Sequence, residues 1–187
     1  TFTDCRSGAG GAIANAGVLV PRTTILEVRN AQGEQIWPLA GGTTAGTRVV
    51  SPQAAFIMTD ILSSNTDPAQ NPFWSKRAIY NGKTRRPAAL KTGTTDATID
   101  LTAVGFLAPP EDPDAPALVV GAWMGNSDNS EPKKDVVALE SAASLWQSFL
   151  TQASKGTPIA TFSRPPGLVQ ASVDAFSGMR PGPFTTR

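Results

Sequence analysis

The sequence predicts an α+β fold in which an antiparallel sheet is covered by helices, and three observations carry that expectation. Three strand candidates follow one another along the chain, separated by turn or loop residues and flanked on both sides by segments with helical periodicity. The 17 Gly and 16 Pro make up about 18% of the chain, against roughly 12% on average, which points to many turns and short strands and away from a helical bundle. Of the 187 residues, 40% are hydrophobic. That is enough for the core of a single domain, because a domain of about 150 residues buries roughly 70% of its unfolded surface.

Taken in order, residues 8–17 read as the end of a short helix, with Gly17 after Asn15-Ala16 as a left-handed stop. Thr24 to Arg29 alternates and is rich in β-formers, Asn30 to Gly33 supplies turn residues, and Gln35-Ile36-Trp37 follows, so the stretch reads as a hairpin. Residues 40–48 read as a loop. Ser51-Pro52 is a helix start, with Ser as N-cap and Pro at the first helical position. Ala54, Ile57, Met58 and Ile61 then mark the apolar face of a helix reaching about Leu62. Residues 63–86 read as polar and irregular. Ala88 to Thr95 and Ile99 to Leu107 are strand candidates joined by a short turn at Asp96-Ala97-Thr98, and the Pro-rich stretch 109–116 is a surface loop. Leu118 to Met124 is almost continuously apolar, which predicts a central strand covered on both faces. Ala142, Leu145, Trp146 and Phe149 fit a second helical face, ending at Lys155-Gly156. The expected division is a domain over 1–156 and a Pro/Gly-rich extension over 157–187.

The chain contains no His and one Cys, Cys5. A Ser-His-Asp or Cys-His arrangement needs imidazole as base, so neither can be built from these residues. A zinc site with His ligands is excluded as well, and a single Cys cannot supply an all-thiolate cage. Chemistry must therefore run on Lys, carboxylates, hydroxyls or backbone groups. Cys5 reads as an incidental thiol. The net charge is +1, and no basic run exceeds two residues, which leaves no footprint for nucleic acid or an anionic membrane. No apolar run approaches the length of a membrane span.

One motif carries chemistry. In Lys91-Thr92-Gly93-Thr94-Thr95, Lys91 supplies a compact positive charge, and Thr92 and Thr94, two apart on a strand, place both hydroxyls on one face. Gly93 between them lets another backbone approach closely. An extended peptide could pair with the main-chain groups, and the Thr94 N–H could serve as half of an oxyanion hole. A given triplet such as Lys-Thr-Gly arises by chance in roughly 4% of chains this long, so its surroundings must decide.

Those surroundings carry a resemblance. Lys-Thr-Gly is a signature of penicillin-binding proteins and serine β-lactamases, and the likeness extends along the whole chain. Asn15 to Arg22, Ser51 to Ala55 with Met58 to Leu62, Asp100 to Phe106, Val120 to Asn126, the segment through Leu145-Trp146 and Phe149, and Val173 to Gly178 all resemble segments of the transpeptidase domain of class A (bifunctional) penicillin-binding proteins. The resemblance implies the penicillin-recognising serine transpeptidase or β-lactamase-like fold, here a partial domain, and a peptidoglycan DD-transpeptidase inhibited by β-lactams. It implies Lys91, Thr92, Gly93, Thr94 and Thr95 as substrate-binding residues, with the Thr94 N–H in the oxyanion hole, and neither cofactor nor metal. Its partners would be the peptidoglycan stem peptide, β-lactams and an upstream segment of the same protein, at the extracytoplasmic face of a bacterial membrane.

That family orders its motifs SxxK, SxN, KTG, and only the third stands here in its context. Ser127-Asp128-Asn129 and Ser130-Glu131-Pro132-Lys133 spell the other two but follow KTG in a loop, with Pro132 inside the would-be tetrad. Ser63-Ser64-Asn65 precedes KTG too closely and reads as a helix end. The nucleophile, its Lys and the SxN motif are therefore expected upstream, outside these residues. A serine β-lactamase and a non-catalytic peptidoglycan-binding module are the alternatives. Gly82-Lys83-Thr84 and the Gly8–Ile13 stretch fail as phosphate-binding motifs, Asp96 and Asp100 straddle a turn as solvated carboxylates, and Trp74, Trp123 and Trp146 read as core or groove aromatics. The family often carries Trp where Thr102 stands.

Overall fold

A computed structural model describes residues 3–21, 25, 27–37, 46–112, 115, 117–174 and 176–183, with residues 3–8 described by backbone alone. The side chain of Cys5 therefore lies outside it. Helix α1 (Thr3–Ala14) ends as expected, with Ala16 and Gly17 both at positive φ. It leads into β1 (Val18–Leu19), which pairs with β4 (Thr47–Arg48). Thr47-Arg48 is thus a strand and not part of a loop, while 40–45 lie outside the described residues. The expected hairpin forms between β2 (Val28–Arg29) and β3 (Gln35–Trp37). Asn30 makes its turn, its Oδ1 accepting from the N–H groups of Gln32 at 3.0 Å and Glu34 at 2.8 Å. Its first strand is shorter than the alternation suggested. Ile25 and Glu27 are not in a strand, and Thr24 and Leu26 lie outside the described residues.

Helix α2 (Pro52–Ser64) starts where the cap signal puts it, with the Ser51 Oγ accepting from the Ala54 N–H at 3.2 Å. The face it buries differs from the expected one. Ala55 and Thr59 are buried, while Ile57, Met58 and Ile61 are each more than two-fifths exposed. The small pair lets the helix approach its neighbours closely, which turns the larger apolar side chains outward. A 3₁₀ turn (Ser75–Arg77) and a hairpin of β5 (Ile79–Asn81) with β6 (Thr84–Arg86) occupy the stretch expected to be irregular. Asn81-Gly82 is the overlooked signal: Gly82 leads a two-residue loop with φ of 62°, the positive value that a hairpin of this length demands.

The main sheet comprises β7 (Ala88–Thr94), β8 (Leu101–Leu107) and β9 (Val119–Met124), antiparallel throughout and ordered β7-β8-β9. The central strand is therefore β8. Expected as central from its apolar run, β9 is an edge strand with Val119, Trp123 and Met124 exposed. Helix α3 (Ala142–Ala153) packs across one face of the sheet, burying Ala142, Ala143, Trp146 and Leu150 against Leu90, Ala103, Leu107 and Ala122. Leu145 and Phe149, expected on the same face, remain more than half exposed. Trp146 is fully buried where Gly105 leaves room for it, since a Cβ at that glycine would sit 2.7 Å from Trp146 Cζ2 and 2.2 Å from the Ala89 carbonyl oxygen.

Beyond α3 the described residues form no further helix or strand, yet the first part of that segment is fastened down. The Arg86 guanidinium is buried and donates to the carbonyls of Ser154 at 3.3 Å, Thr157 at 2.7 Å and Pro158 at 2.8 Å. Burial pushes its pKa down. Phe162 meets Phe106 edge-on at 5.8 Å, and Gln53 Nε2 donates to Pro166 O at 2.8 Å. Arg86→Met is expected to cost about 2–3 kcal/mol, because it leaves those carbonyls buried without donors. Urea unfolding gives the cost, and limited proteolysis after Ser154 should accelerate with it; an unchanged midpoint and cleavage rate would show that the pin is idle.

Candidate functional site

The two edges of β7 have different fates along its length. Thr66 Oγ1 donates to the Ala88 carbonyl at 2.7 Å, and Asn65 Nδ2 donates to the Leu90 carbonyl at 2.8 Å. Residues just past the end of α2 thus cover the outer edge of the first half of the strand. Gly93 and Thr95 face the other way: Gly93 O accepts from Thr102 Oγ1 at 3.3 Å, and the Thr95 N–H donates to Asp100 O at 3.1 Å. In an antiparallel ladder each residue turns its N–H and C=O to the same side, and successive residues alternate. The main-chain groups of Thr92 and Thr94 therefore point outward with those of Ala88 and Leu90, past the point where Asn65 and Thr66 stop.

Side-chain directions follow from the same alternation. Thr92 and Thr94 lie on the face that Ala88 and Leu90 use for the core, Thr92 half-buried and Thr94 exposed. Lys91 starts from the opposite face, but its Nζ donates to Thr92 O at 2.6 Å, which brings the ammonium round to the open edge. Charge, two hydroxyls and two outward N–H groups converge there. Gly93 sits between them and is half-buried. Thr95 is not part of that group, because its Oγ1 accepts from the Asp100 N–H at 3.0 Å and closes the turn into β8.

The look-alike motifs have ordinary structural roles. Asp128 Oδ1 accepts from Ser130 Oγ at 2.7 Å and from its N–H at 3.0 Å, bonds that hold the carboxyl below its usual range. Asn126 Nδ2 donates to Ser130 Oγ at 3.0 Å, and no helix contains Ser130 or Lys133. The Ser63 and Ser64 hydroxyls donate back to Asp60 O and Ile61 O, closing α2. Asp100 Oδ1 accepts from Trp123 Nε1 at 3.0 Å, tying the turn beside the motif to β9. Among the described residues no group of acidic side chains and Cys is arranged to hold a metal, and no helix is long and apolar enough to cross a membrane. The part of Asn65 and Thr66 in covering the strand edge was not foreseen. Short polar residues after a helix carry no sign of the strand that they will meet.

No family model matches the chain. Penicillin-binding protein 2D of Bacillus subtilis is 30% identical over 174 residues, which cover 91% of this chain and 23% of that protein. Among solved structures, penicillin-binding protein 1A from Haemophilus influenzae aligns with a TM-score of 0.72 at 18% identity, covering 96% of this chain and 30% of that one. PonA1, a penicillin-binding protein from Mycobacterium tuberculosis, aligns with a TM-score of 0.68 at 21% identity, covering 95% and 43%. The chain thus spans about a quarter of the length of that curated relative.

Proposed function

Since this chain belongs to the class A penicillin-binding proteins, we propose that it supplies the KTG wall of a serine DD-transpeptidase site that cross-links peptidoglycan. The observation that carries the proposal is the juxtaposition at the uncovered end of β7: the Lys91 ammonium, the Thr92 and Thr94 hydroxyls and two outward N–H groups on one strand edge. An extended stem peptide ending in D-Ala-D-Ala pairs with that edge as an added strand. Lys91 and the two hydroxyls hold its terminal carboxylate, and Gly93 admits the substrate backbone. The Thr94 N–H polarises the penultimate carbonyl.

A serine on the upstream segment, deprotonated by its neighbouring Lys, attacks that carbonyl carbon. An ester forms, the peptide bond breaks and the terminal D-Ala leaves with the proton. The amine of a second stem peptide then attacks the ester, forming the cross-link and restoring the serine hydroxyl. A β-lactam enters the same way, but its opened ring stays attached and the ester persists. The site faces the extracytoplasmic side of the bacterial membrane, where the peptidoglycan lies.

Lys91→Ala in the full-length protein is expected to slow labelling by fluorescent penicillin about 10- to 100-fold, the scale of one lost charge-assisted contact. Labelling at the wild-type rate would remove Lys91 from the site. Label recovered on a peptide within residues 1–187 would contradict the upstream nucleophile. An acyl-enzyme that hydrolyses within seconds would favour the β-lactamase alternative.

A further inference from the structure

The peptide unit that carries the Thr94 N–H also carries the Gly93 carbonyl, and the two groups point opposite ways across β7. Gly93 pairs with Thr102 of β8. Because the Thr95 N–H turns to β8, the main-chain groups of Gly93 turn there too. The Gly93 carbonyl has a donor besides the ladder, since Thr102 Oγ1 donates to it at 3.3 Å. A carbonyl oxygen has two lone pairs, so it accepts the ladder N–H and the hydroxyl together. The peptide unit is planar. What fixes Gly93 O from behind therefore fixes the direction of the Thr94 N–H in front.

The surroundings direct the hydroxyl to that place. Gly93, Thr102 and Trp123 are register partners across the three strands, so they stand in one row on one face of the sheet. On one side of Thr102 the row is open, because Gly93 has no side chain. On the other side stands the Trp123 indole, whose Nε1 donates to Asp100 Oδ1 at 3.0 Å. That indole lies against Gly125, where a Cβ would sit 2.7 Å from Trp123 Cζ2 and 2.9 Å from Asp100 Oδ1. Asp100 also grips the residue after Thr94: its carbonyl accepts from the Thr95 N–H at 3.1 Å, and its N–H donates to Thr95 Oγ1 at 3.0 Å. The turn between them holds Thr98 at a φ of 57°, a left-handed conformation that a β-branched residue keeps only where its surroundings impose it. Thr94 is thus bracketed by two residues that β8 holds.

We infer that Thr102 is a positioning residue for acyl transfer: its hydroxyl holds and polarises the Gly93–Thr94 peptide unit, which makes the Thr94 N–H a stronger and better-aimed donor to the oxyanion. Hydrogen bonds in a chain polarise one another, so a donor on the carbonyl of an amide strengthens the N–H of the same amide. The gain falls in the transition state, where charge develops on the attacked oxygen. It raises the acylation rate and leaves the initial binding of a β-lactam unchanged. The inference rests on the transpeptidase reading and deepens it.

Thr102→Val removes the hydroxyl at nearly constant shape, and Thr102→Ser keeps it. Stopped-flow acylation of the full-length protein over a range of β-lactam concentrations separates rate from binding. The valine variant is expected to acylate about 3- to 10-fold more slowly at saturation, with the dissociation constant of the initial complex unchanged and the serine variant within about twofold of wild type. The infrared stretch of the acyl-enzyme ester carbonyl should move to higher frequency in the valine variant and return in the serine variant. A wild-type rate and frequency with valine would overturn the inference, as would a loss confined to the dissociation constant. A serine variant as impaired as the valine one would do the same, by assigning the effect to packing. Thr94→Pro separates this inference from the reading beneath it. If proline at 94 slows acylation and valine at 102 does not, only the role of Thr102 falls. If the proline variant acylates normally, the Thr94 N–H is dismissed and the role of Thr102 falls with it.

Discussion

Thr94→Pro in the full-length protein is expected to slow acylation by a β-lactam about 100- to 1,000-fold, the cost of losing one oxyanion donor, while Thr94→Ala costs far less. Proline deletes the N–H and is tolerated on an edge strand when that N–H faces away from the ladder. Position 94 meets the condition, because residue 94 turns its main-chain groups away from β8 with Ala88 and Leu90. The preceding Gly93 lies in extended β7, as a residue before proline must. Alanine keeps the N–H and removes only the hydroxyl to which the proposed function gives a share in holding the carboxylate. Stopped-flow acylation measures both rates, and circular dichroism and the melting temperature report whether the fold survives. If the proline variant acylates normally, or if alanine is equally damaging, the main-chain N–H is not the group that matters.

Trp146→Ala should destabilise the protein by about 3–5 kcal/mol, the range for deleting a large, fully buried aromatic. Trp146 sits at the centre of the core between α3 and the sheet and fills the space left by the missing side chain of Gly105. Gly105→Ala is expected to cost about 1–3 kcal/mol by overpacking. The double variant should cost less than the two single costs combined, because removing the indole relieves one of the two clashes; the Ala89 carbonyl oxygen remains in the way. Denaturant unfolding of the four proteins closes the cycle. Strict additivity would show that Gly105 is set by the neighbouring strand and not by Trp146.

Local signals in the sequence were reliable where the deciding forces are local. Ser51-Pro52 starts α2, Asn15 to Gly17 ends α1, and Asn30 shapes its turn. What periodicity could not supply is the neighbour on each face. Ile57, Met58 and Ile61 form a genuine apolar stripe, yet α2 rests on Ala55 and Thr59, whose small side chains permit the closer approach. Leu145 and Phe149 mark a real face of α3, but the helix is rolled so that Trp146 and Leu150 carry the core. Of the candidate site, residue types and alternation brought Lys91 to Thr94 forward as a group, and the resemblance of the surrounding segments singled them out. The contribution of Asn65 and Thr66 depends on where α2 ends relative to β7, a distance in space that no local pattern encodes.

Those two residues turn β7 into a ruler with a stop at one end. Two carbonyl acceptors, at Ala88 and Leu90, are already taken, so an extended peptide laid on the strand cannot slide toward its beginning to gain more bonds. Register slippage, the usual hazard of strand addition, is blocked in that direction by side chains and not by strand length. On the proposed reading, a bound chain would be held against Thr92 and Thr94, its end located by geometry before any charge on it is read.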